Sequence, residues 1–404
     1  MKRHRLLRTD RKRGQFFTEP QFAELLVAAV AGGTSSAVDF AMGNGALLDP
    51  VIRAYADCEV FGIDVDARWV RRIRRAVPAG SFVSGDALVT HSLASLRLPA
   101  DGVDLVVANP PFADIANTPR IGALIAHTLG LNPRGRSVRS EIAFLALALS
   151  ALAPRGRLSI VLPQALIAGD TFRAMRNAIV ARFSISGVYE LPRGAFAATE
   201  AHTYILSLER GAPASTSIPV YSVDGDGNLA AAECIRGQEV TRRWDYGYWK
   251  WERRRASGAA PTATLEELGG VLYRGQVSSA EARRSRLPYF HTTDFARLRR
   301  DSVSFYNPFE AIRHVPRELR AGAGDILIPR IGTRCLGHQA LVSRGTAAIT
   351  DCVYRIHLPP EHRQATLLSL ASDRGLDWRR KSAKGTCAKF LTRTDMLRFP
   401  VYLS

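Results

Sequence analysis

Apolar and polar positions follow two alternating periods along the first half of the chain. Short apolar runs at 37–40, 60–63, 82–83, 103–108, 158–162, 185–189 and 204–208 predict buried strands. Between them, 22–31, 67–76, 141–152 and 170–181 carry apolar residues at helical spacing. Strand and helix in this alternation predict an open, mostly parallel α/β sheet, whose ligands sit at the carboxyl ends of the strands. Asp39, Asp64, Asp86 and Asn109 each stand at or just past such an end.

After Arg210 the pattern changes. Residues 211–217 (GAPASTS) read as a linker. A dense aromatic-basic run follows, holding Arg242, Arg243, Trp244, Tyr246, Tyr248, Trp249, Lys250, Trp251, Arg253, Arg254 and Arg255. Such a run packs against a neighbouring domain or meets nucleic acid, and the pattern leaves both open. From about 265 onward, strand-like segments alternate with turns, with a helix near 362–374. The expected division is a basic arm at 1–13, an α/β domain at 14–210, a connecting segment at 211–264 and a smaller α+β, β-rich domain at 265–404.

Charge narrows the class of partner. The chain has 404 residues, with 55 Lys and Arg against 37 Asp and Glu, a formal net charge of +18. An excess of this size points to a polyanion, with nucleic acid the default. The predominance of Arg fits phosphate and guanine contacts, and equally a GC-rich coding sequence. A hydrophobic fraction of 46% excludes a disordered chain. The longest apolar stretch, 142–153, is too short to span a bilayer, and no apolar signal core follows the basic N-terminus. Cys58, Cys234, Cys335, Cys352 and Cys387 form no Cys-x-x-Cys pair and accompany no histidine cluster. The expectation is a cytoplasmic protein with free thiols and no metal.

The most informative residues are Asn109-Pro110-Pro111-Phe112, directly after the run 103–108. Two prolines end the strand and stiffen the backbone between an amide and an aromatic ring. The Asn109 carboxamide oxygen and a proline carbonyl can both accept from a planar NH₂ group, and the ring can stack on its face. A strand-ending turn with a buried Phe is the plainer reading of the same residues. Gly43-Asn44-Gly45 predicts a tight strand-to-helix turn that lets a ligand approach the backbone. Asp64, about twenty residues on, suits the two hydroxyls of a ribose. Asp66 reads as a helix N-cap. Asp86 could accept an adenine amino group or close a turn.

In this order the motifs resemble the gamma-class, TaqI-like S-adenosylmethionine-dependent DNA adenine-N6 methyltransferases. Residues 14–20 (GQFFTEP) are similar to the family's opening segment, which places Phe17 and Thr18 over the methionine end of the cofactor. Residues 39–45 (DFAMGNG) are similar to its glycine motif, bringing Asp39, Met42, Gly43 and Gly45 to the cofactor; Phe40 and Met42 stand where proline and cysteine are usual. Asp64 matches the ribose-binding acid, where many members have Glu, and Asp86 the adenine-binding acid. Asn109, Pro110, Pro111 and Phe112 match the catalytic tetrapeptide, with Asn109 also against the cofactor. Residues 191–196 (LPRGAF) and 203–206 (TYIL) match late motifs, in which Phe196 contacts the target base. Residues 323–332, 349–355, and 385–386 with 391–397, resemble target-recognition domains of type I specificity subunits and TaqI-like enzymes. Arg330, Arg334, Lys381 and Lys384 are the DNA contacts this implies.

The resemblance implies a Rossmann-like class I methyltransferase sheet followed by a β-rich recognition domain, S-adenosylmethionine as cofactor, no metal, and double-stranded DNA as substrate. It implies transfer to the N6 amine of a flipped adenine within a restriction–modification system, with any endonuclease encoded separately. Two alternatives share the residues. One is methylation of RNA or of a protein glutamine amide; glutamine methyltransferases place a helical domain ahead of the catalytic one, whereas here the extension follows it. The other is a non-catalytic DNA-binding specificity component, against which the intact acids and tetrapeptide argue.

Overall fold

A computed structural model of the chain divides into two compact units, residues 1–249 and 250–404. The structure describes residues 18–403 except 31, 197–201, 212–215, 257–261, 286–288, 299–300, 307–311, 313–314 and 386–387. The arm at 1–13, Phe17 and Cys387 lie outside the described residues.

The first unit contains β1 (Ser36–Asp39), β2 (Glu59–Asp64), β3 (Ser81–Ser84), β4 (Val103–Ala108), β5 (Asp114–Ala116), β6 (Ser137–Arg139), β7 (Leu152–Pro163), β8 (Phe183–Glu190), β9 (Thr203–Arg210), β10 (Ser217–Ser222) and β11 (Glu233–Arg236). Among the described residues nine of these form one sheet in the order β11-β10-β8-β9-β7-β4-β1-β2-β3, and β5 and β6 pair separately. β1 through β4 and β7 run parallel, and β9 is antiparallel to both of its neighbours. The fold is mixed α/β. β4 is covered on both faces, with Val103, Leu105, Val106 and Val107 fully buried, which is why its sequence is a near-continuous apolar run. The helix Ser140–Ala151 is likewise apolar on most sides, because Phe144, Leu145, Leu147 and Leu149 all enter the core.

The chain passes from β1 outward through β2 to β3, then returns to lay β4 on the other side of β1. The strand order therefore reverses between β1 and β4. Helices that leave the two strands in opposite senses open a crevice at their carboxyl ends.

The expected boundary at 210 is corrected to 249. Residues 217–222 and 233–236 extend the sheet, since Ile218, Val220 and Ile235 alternate onto its buried face. The aromatic-basic run also begins inside this unit. Trp244, Tyr246, Tyr248 and Trp249 belong to its main apolar cluster, and Arg243 is 1% exposed beside Asp245. For these residues packing wins over a nucleic-acid surface.

The second unit is β-rich, with helices. Among its described residues, β13 (Val271–Arg274), β15 (Ser302–Ser304), β17 (Ile326–Pro329), β18 (Ala340–Arg344) and β20 (Val353–His357) form a five-stranded sheet; β14 (Tyr289–Phe290), β16 (Arg320–Gly322) and β19 (Thr346–Ile349) form a second, and β12 (Thr262–Thr264) pairs with β21 (Pro400–Tyr402). The helices Pro360–Ala371 and Asp373–Ser382 pack on this framework, with Trp378 meeting Phe399 edge-on at 5.2 Å.

Each unit holds a buried arginine that gathers carbonyls. Arg176 donates to the carbonyls of Leu166 (2.8 Å), Gly169 (2.9 Å), Arg242 (2.6 Å) and Thr241 (3.4 Å). Arg379 does the same for Leu336, Gly337, His338 and Leu370. Burial lowers both guanidinium pKa values to about 10. Because one buried side chain satisfies four backbone acceptors, Arg176→Met should lower the unfolding free energy by about 2–4 kcal/mol, read from urea denaturation. A loss below about 0.5 kcal/mol would show that the carbonyls find other donors.

Candidate functional site

The site is built where β1, β2, the turn after β3, and β4 end. After Asp39 the chain turns through Phe40-Ala-Met-Gly-Asn-Gly45 into the helix Leu48–Ala54. Gly43 and Gly45 have φ of 50° and 83°, the left-handed region that glycine enters without a Cβ clash. Asp64 ends β2 and holds this turn: Oδ2 accepts from the Gly43 amide at 2.8 Å and Oδ1 from the Asp66 amide at 2.7 Å. Asp66 in turn caps the helix Ala67–Ala76 by accepting from the Arg68 amide. Gly62 on β2 makes room for Met42, whose Sδ would lie 2.4 Å from an added Cβ.

Asp86 lies past β3, exposed, and closes its own turn by accepting from the Leu88 amide at 2.9 Å. Asn109 lies past β4, half-buried, and its Nδ2 donates to Thr18 Oγ1 at 3.1 Å. That bond turns the amide nitrogen to Thr18 and the carboxamide oxygen away from it. Thr18 also forms an isolated β-bridge with Phe196. Residues 18, 109 and 196, far apart in sequence, thus meet at one place.

These strand ends enclose a cavity of about 520 Å³. Its walls include the expected Thr18, Asp39, Met42, Gly43, Asp64, Asp86, Asn109 and Pro111. Gly45, Pro110, Phe112 and Phe196 stand outside the lining. Gly45 serves the turn, its carbonyl accepting the Leu48 and Asp49 amides. Phe112 is half-buried and packs against the apolar cluster that holds Phe22, Met42 and Tyr189. Phe196 is 2% exposed within that same cluster, so the expectation of a base-facing ring is corrected to a packed one, connected to the site through its bridge to Thr18.

Several lining residues carried no signal in the sequence. Val65, directly after Asp64, is 53% exposed, a large apolar side chain left open at the cavity wall. Phe40, Leu88 and Ile115 add apolar wall. Ser140 and Phe144 arrive from the start of a helix well beyond the tetrapeptide, and only the pairing of β5 with β6 brings them there. An apolar residue after a strand-ending acid could have flagged Val65; nothing local flags Ser140.

The electrostatics of the cavity are acidic. Asp39 is 1% exposed, and burial raises its pKa to about 7, against the lowering by its hydrogen bond from the Ala41 amide (2.9 Å); nearby Asp64 raises it further. The described lining residues include Asp39, Asp64 and Asp86. Such a wall rejects a phosphate and suits a ligand carrying positive charge and hydroxyl or amino donors.

In the second unit the four expected DNA contacts separate. Lys384 is 2% exposed and ion-paired to Asp395 at 3.0 Å, and Arg330 donates to the Asp351 carbonyl at 2.6 Å with its side chain 14% exposed. Both are corrected to structural roles, because burial commits their charges internally. Arg334 and Lys381 are exposed. Among the described residues, no group of three or more His, Cys, Asp or Glu could hold a metal, the cysteines Cys58, Cys335 and Cys352 are free thiols, and no helix is long and apolar enough to cross a membrane.

Comparison with known proteins bears on the first unit above all. A family model described as N-6 DNA Methylase matches residues 5–268. Curated proteins give no match. Among solved structures, the type IIG restriction endonuclease BpuSI is similar over 98% of this chain and 60% of its own, with 13% identity and a TM-score of 0.51. The type I restriction-modification methyltransferase subunit from Streptococcus thermophilus is similar over 56% of this chain and 51% of its own (20% identity, TM-score 0.42). The EcoKI M protein is similar over 51% and 48% (17% identity, TM-score 0.41). The chain thus spans about half the length of these methyltransferase subunits.

Asp39 makes stability depend on pH. Its folded pKa of about 7 lies above the ordinary 3.8, so the folded state binds a proton that the unfolded chain releases. The stabilisation is full below about pH 4 and is lost as pH rises to about 7. Urea midpoints of the wild type should fall over that window relative to those of Asp39→Asn. Parallel profiles would refute the shift.

Proposed function

We propose that this chain, which belongs to the N-6 DNA methylase family, transfers the methyl group of S-adenosylmethionine to the N6 amine of an adenine in duplex DNA, as the modification enzyme of a restriction–modification system. The observation that carries the reading is that Asp39, Asp64 and Asp86 gather with Asn109 and Pro111 around one cavity. A nucleotide phosphate would be repelled there, whereas a nucleoside bearing a sulfonium and an ammonium group matches the donor set. Asp64, at the end of its strand and held by two backbone amides, would meet the ribose hydroxyls, and Asp86 an adenine amine. Asp39, Met42, Gly43 and Thr18 would hold the remainder, with Val65 as an apolar surface under the base. The bound cofactor supplies an electrophilic methyl on a sulfur that leaves without acid assistance.

The protein's part is to make a poor nucleophile available. An adenine amine delocalises its lone pair into the ring. Accepting its two N–H bonds at the Asn109 oxygen and the Pro110 carbonyl favours a pyramidal nitrogen, and holding that nitrogen still contributes the orientation effect. Thr18 supports this by taking the Asn109 amide nitrogen, leaving the oxygen as the acceptor. The amine is out of reach in a stacked duplex, so the base must be extruded, with Phe112 offering a stacking face worth about 1–3 kcal/mol. The second unit would read the sequence, with exposed Arg334 and Lys381 at its surface.

Incubation with methyl-tritiated S-adenosylmethionine and unmethylated duplex DNA, followed by nucleoside analysis, should yield N6-methyladenine. Label in RNA or protein with none in DNA would overturn the reading, and N4-methylcytosine would correct the base. Asn109→Ala should reduce transfer about 10²–10³-fold or more, while calorimetric cofactor affinity stays within about threefold.

A further inference from the structure

The two prolines leave one gap in the rigidity of the tetrapeptide. Asn109 is restrained by the proline that follows it, and Pro110 and Pro111 have fixed φ. Phe112 follows them, and nothing covalent restrains its φ or ψ. Ser140 supplies what is missing. Its hydroxyl donates to the Pro111 carbonyl and accepts from the Ala113 amide at 3.0 Å. These groups belong to the two peptide planes on either side of the Phe112 Cα, so one oxygen holds both. The Ser140 amide adds a bond to the Ala113 carbonyl at 2.8 Å.

Ser140 is itself fixed. It is fully buried, opens the helix Ser140–Ala151, and follows β6, which pairs with β5 so that Asp114 faces Arg139. Arg139 donates to the fully buried Glu141 carboxylate at 2.7 Å and lies 3.8 Å from Asp114, closing the hairpin on the helix start. Glu141 in turn stands 3.3 Å from the Ser140 hydroxyl. The serine is therefore mounted on the core and reaches out to the loop.

We propose that Ser140 is a positioning residue for methyl transfer: it sets the orientation of Phe112, and through it the placement of the target base against Asn109. This rests on the proposed function. It predicts a loss of rate with cofactor binding intact, because the serine acts on the base-holding ring.

The test is a double-mutant cycle on single-turnover transfer of tritiated methyl to unmethylated duplex DNA of mixed sequence, using wild type, Ser140→Ala, Phe112→Ala and the double variant. Ser140→Ala should slow transfer about 10- to 100-fold, with cofactor affinity by calorimetry within about twofold. In the Phe112→Ala background the same change should cost less than about twofold more. Should Ser140→Ala not fold, Ser140→Cys, which replaces the hydroxyl with a weak donor of similar size, takes its place in the cycle. Effects that multiply independently, a rate equal to wild type, or a cofactor affinity that falls in step with the rate would each overturn the proposal. A wild type that transfers no methyl to DNA would overturn the functional reading and this proposal with it.

Discussion

The Asp64 carboxylate, seated between the Gly43 amide at 2.8 Å and the Asp66 amide at 2.7 Å, is the interaction on which the site depends. One oxygen holds the turn that leaves β1 and the other starts the segment that leaves β2. The two neighbouring strands are thereby joined at their carboxyl ends, beside the reversal of strand order between β1 and β4. The acid is buried because it is satisfied, and it lines the cavity. A ligand that used them would be reading a group already held rigid by backbone donors.

A second consequence is that charge is sorted by location. The chain carries +18 overall, yet its cavity is acidic among the described lining residues. Part of the positive charge is internal. Arg176 and Arg379 each spend a guanidinium on backbone carbonyls, Arg243 pairs with Asp245 at 2.6 Å, and Lys384 pairs with Asp395. An arginine-rich composition therefore overstates the surface available to a polyanion. What remains exposed, Arg334 and Lys381 among them, is the set a nucleic acid could meet.

The loop after β4 shows how rigidity is shared between covalent and tertiary means. Prolines set the backbone up to Pro111, a buried serine takes over on both sides of Phe112, and a threonine from the start of the described chain orients Asn109. Each contributor comes from a different part of the sequence. The tetrapeptide is stiff where it is proline and dependent on its neighbours where it is not.

The parallel core, the strand-ending acids and the asparagine after β4 were legible because they follow from local rules: a twice-covered strand must be a continuous apolar run, and a sharp turn needs glycine or proline. The cap at Asp66 was legible for the same reason. The roles of β10 and β11, the burial of Trp244 through Trp249, and the commitment of Arg330 and Lys384 to internal partners were not. An aromatic or a cation has the same local signature whether it faces a core, a partner or solvent. Phe196 belongs with these, being an aromatic in the expected order whose ring the fold placed in the core. Ser140 is the extreme case, an ordinary residue at a helix start made consequential by the pairing of β5 with β6. By itself the sequence determined which chemical groups stand at the strand ends, because chain direction and period settle that. Only the tertiary structure decided which of them share a cavity and what holds them still, because that depends on hydrogen bonds between residues far apart along the chain.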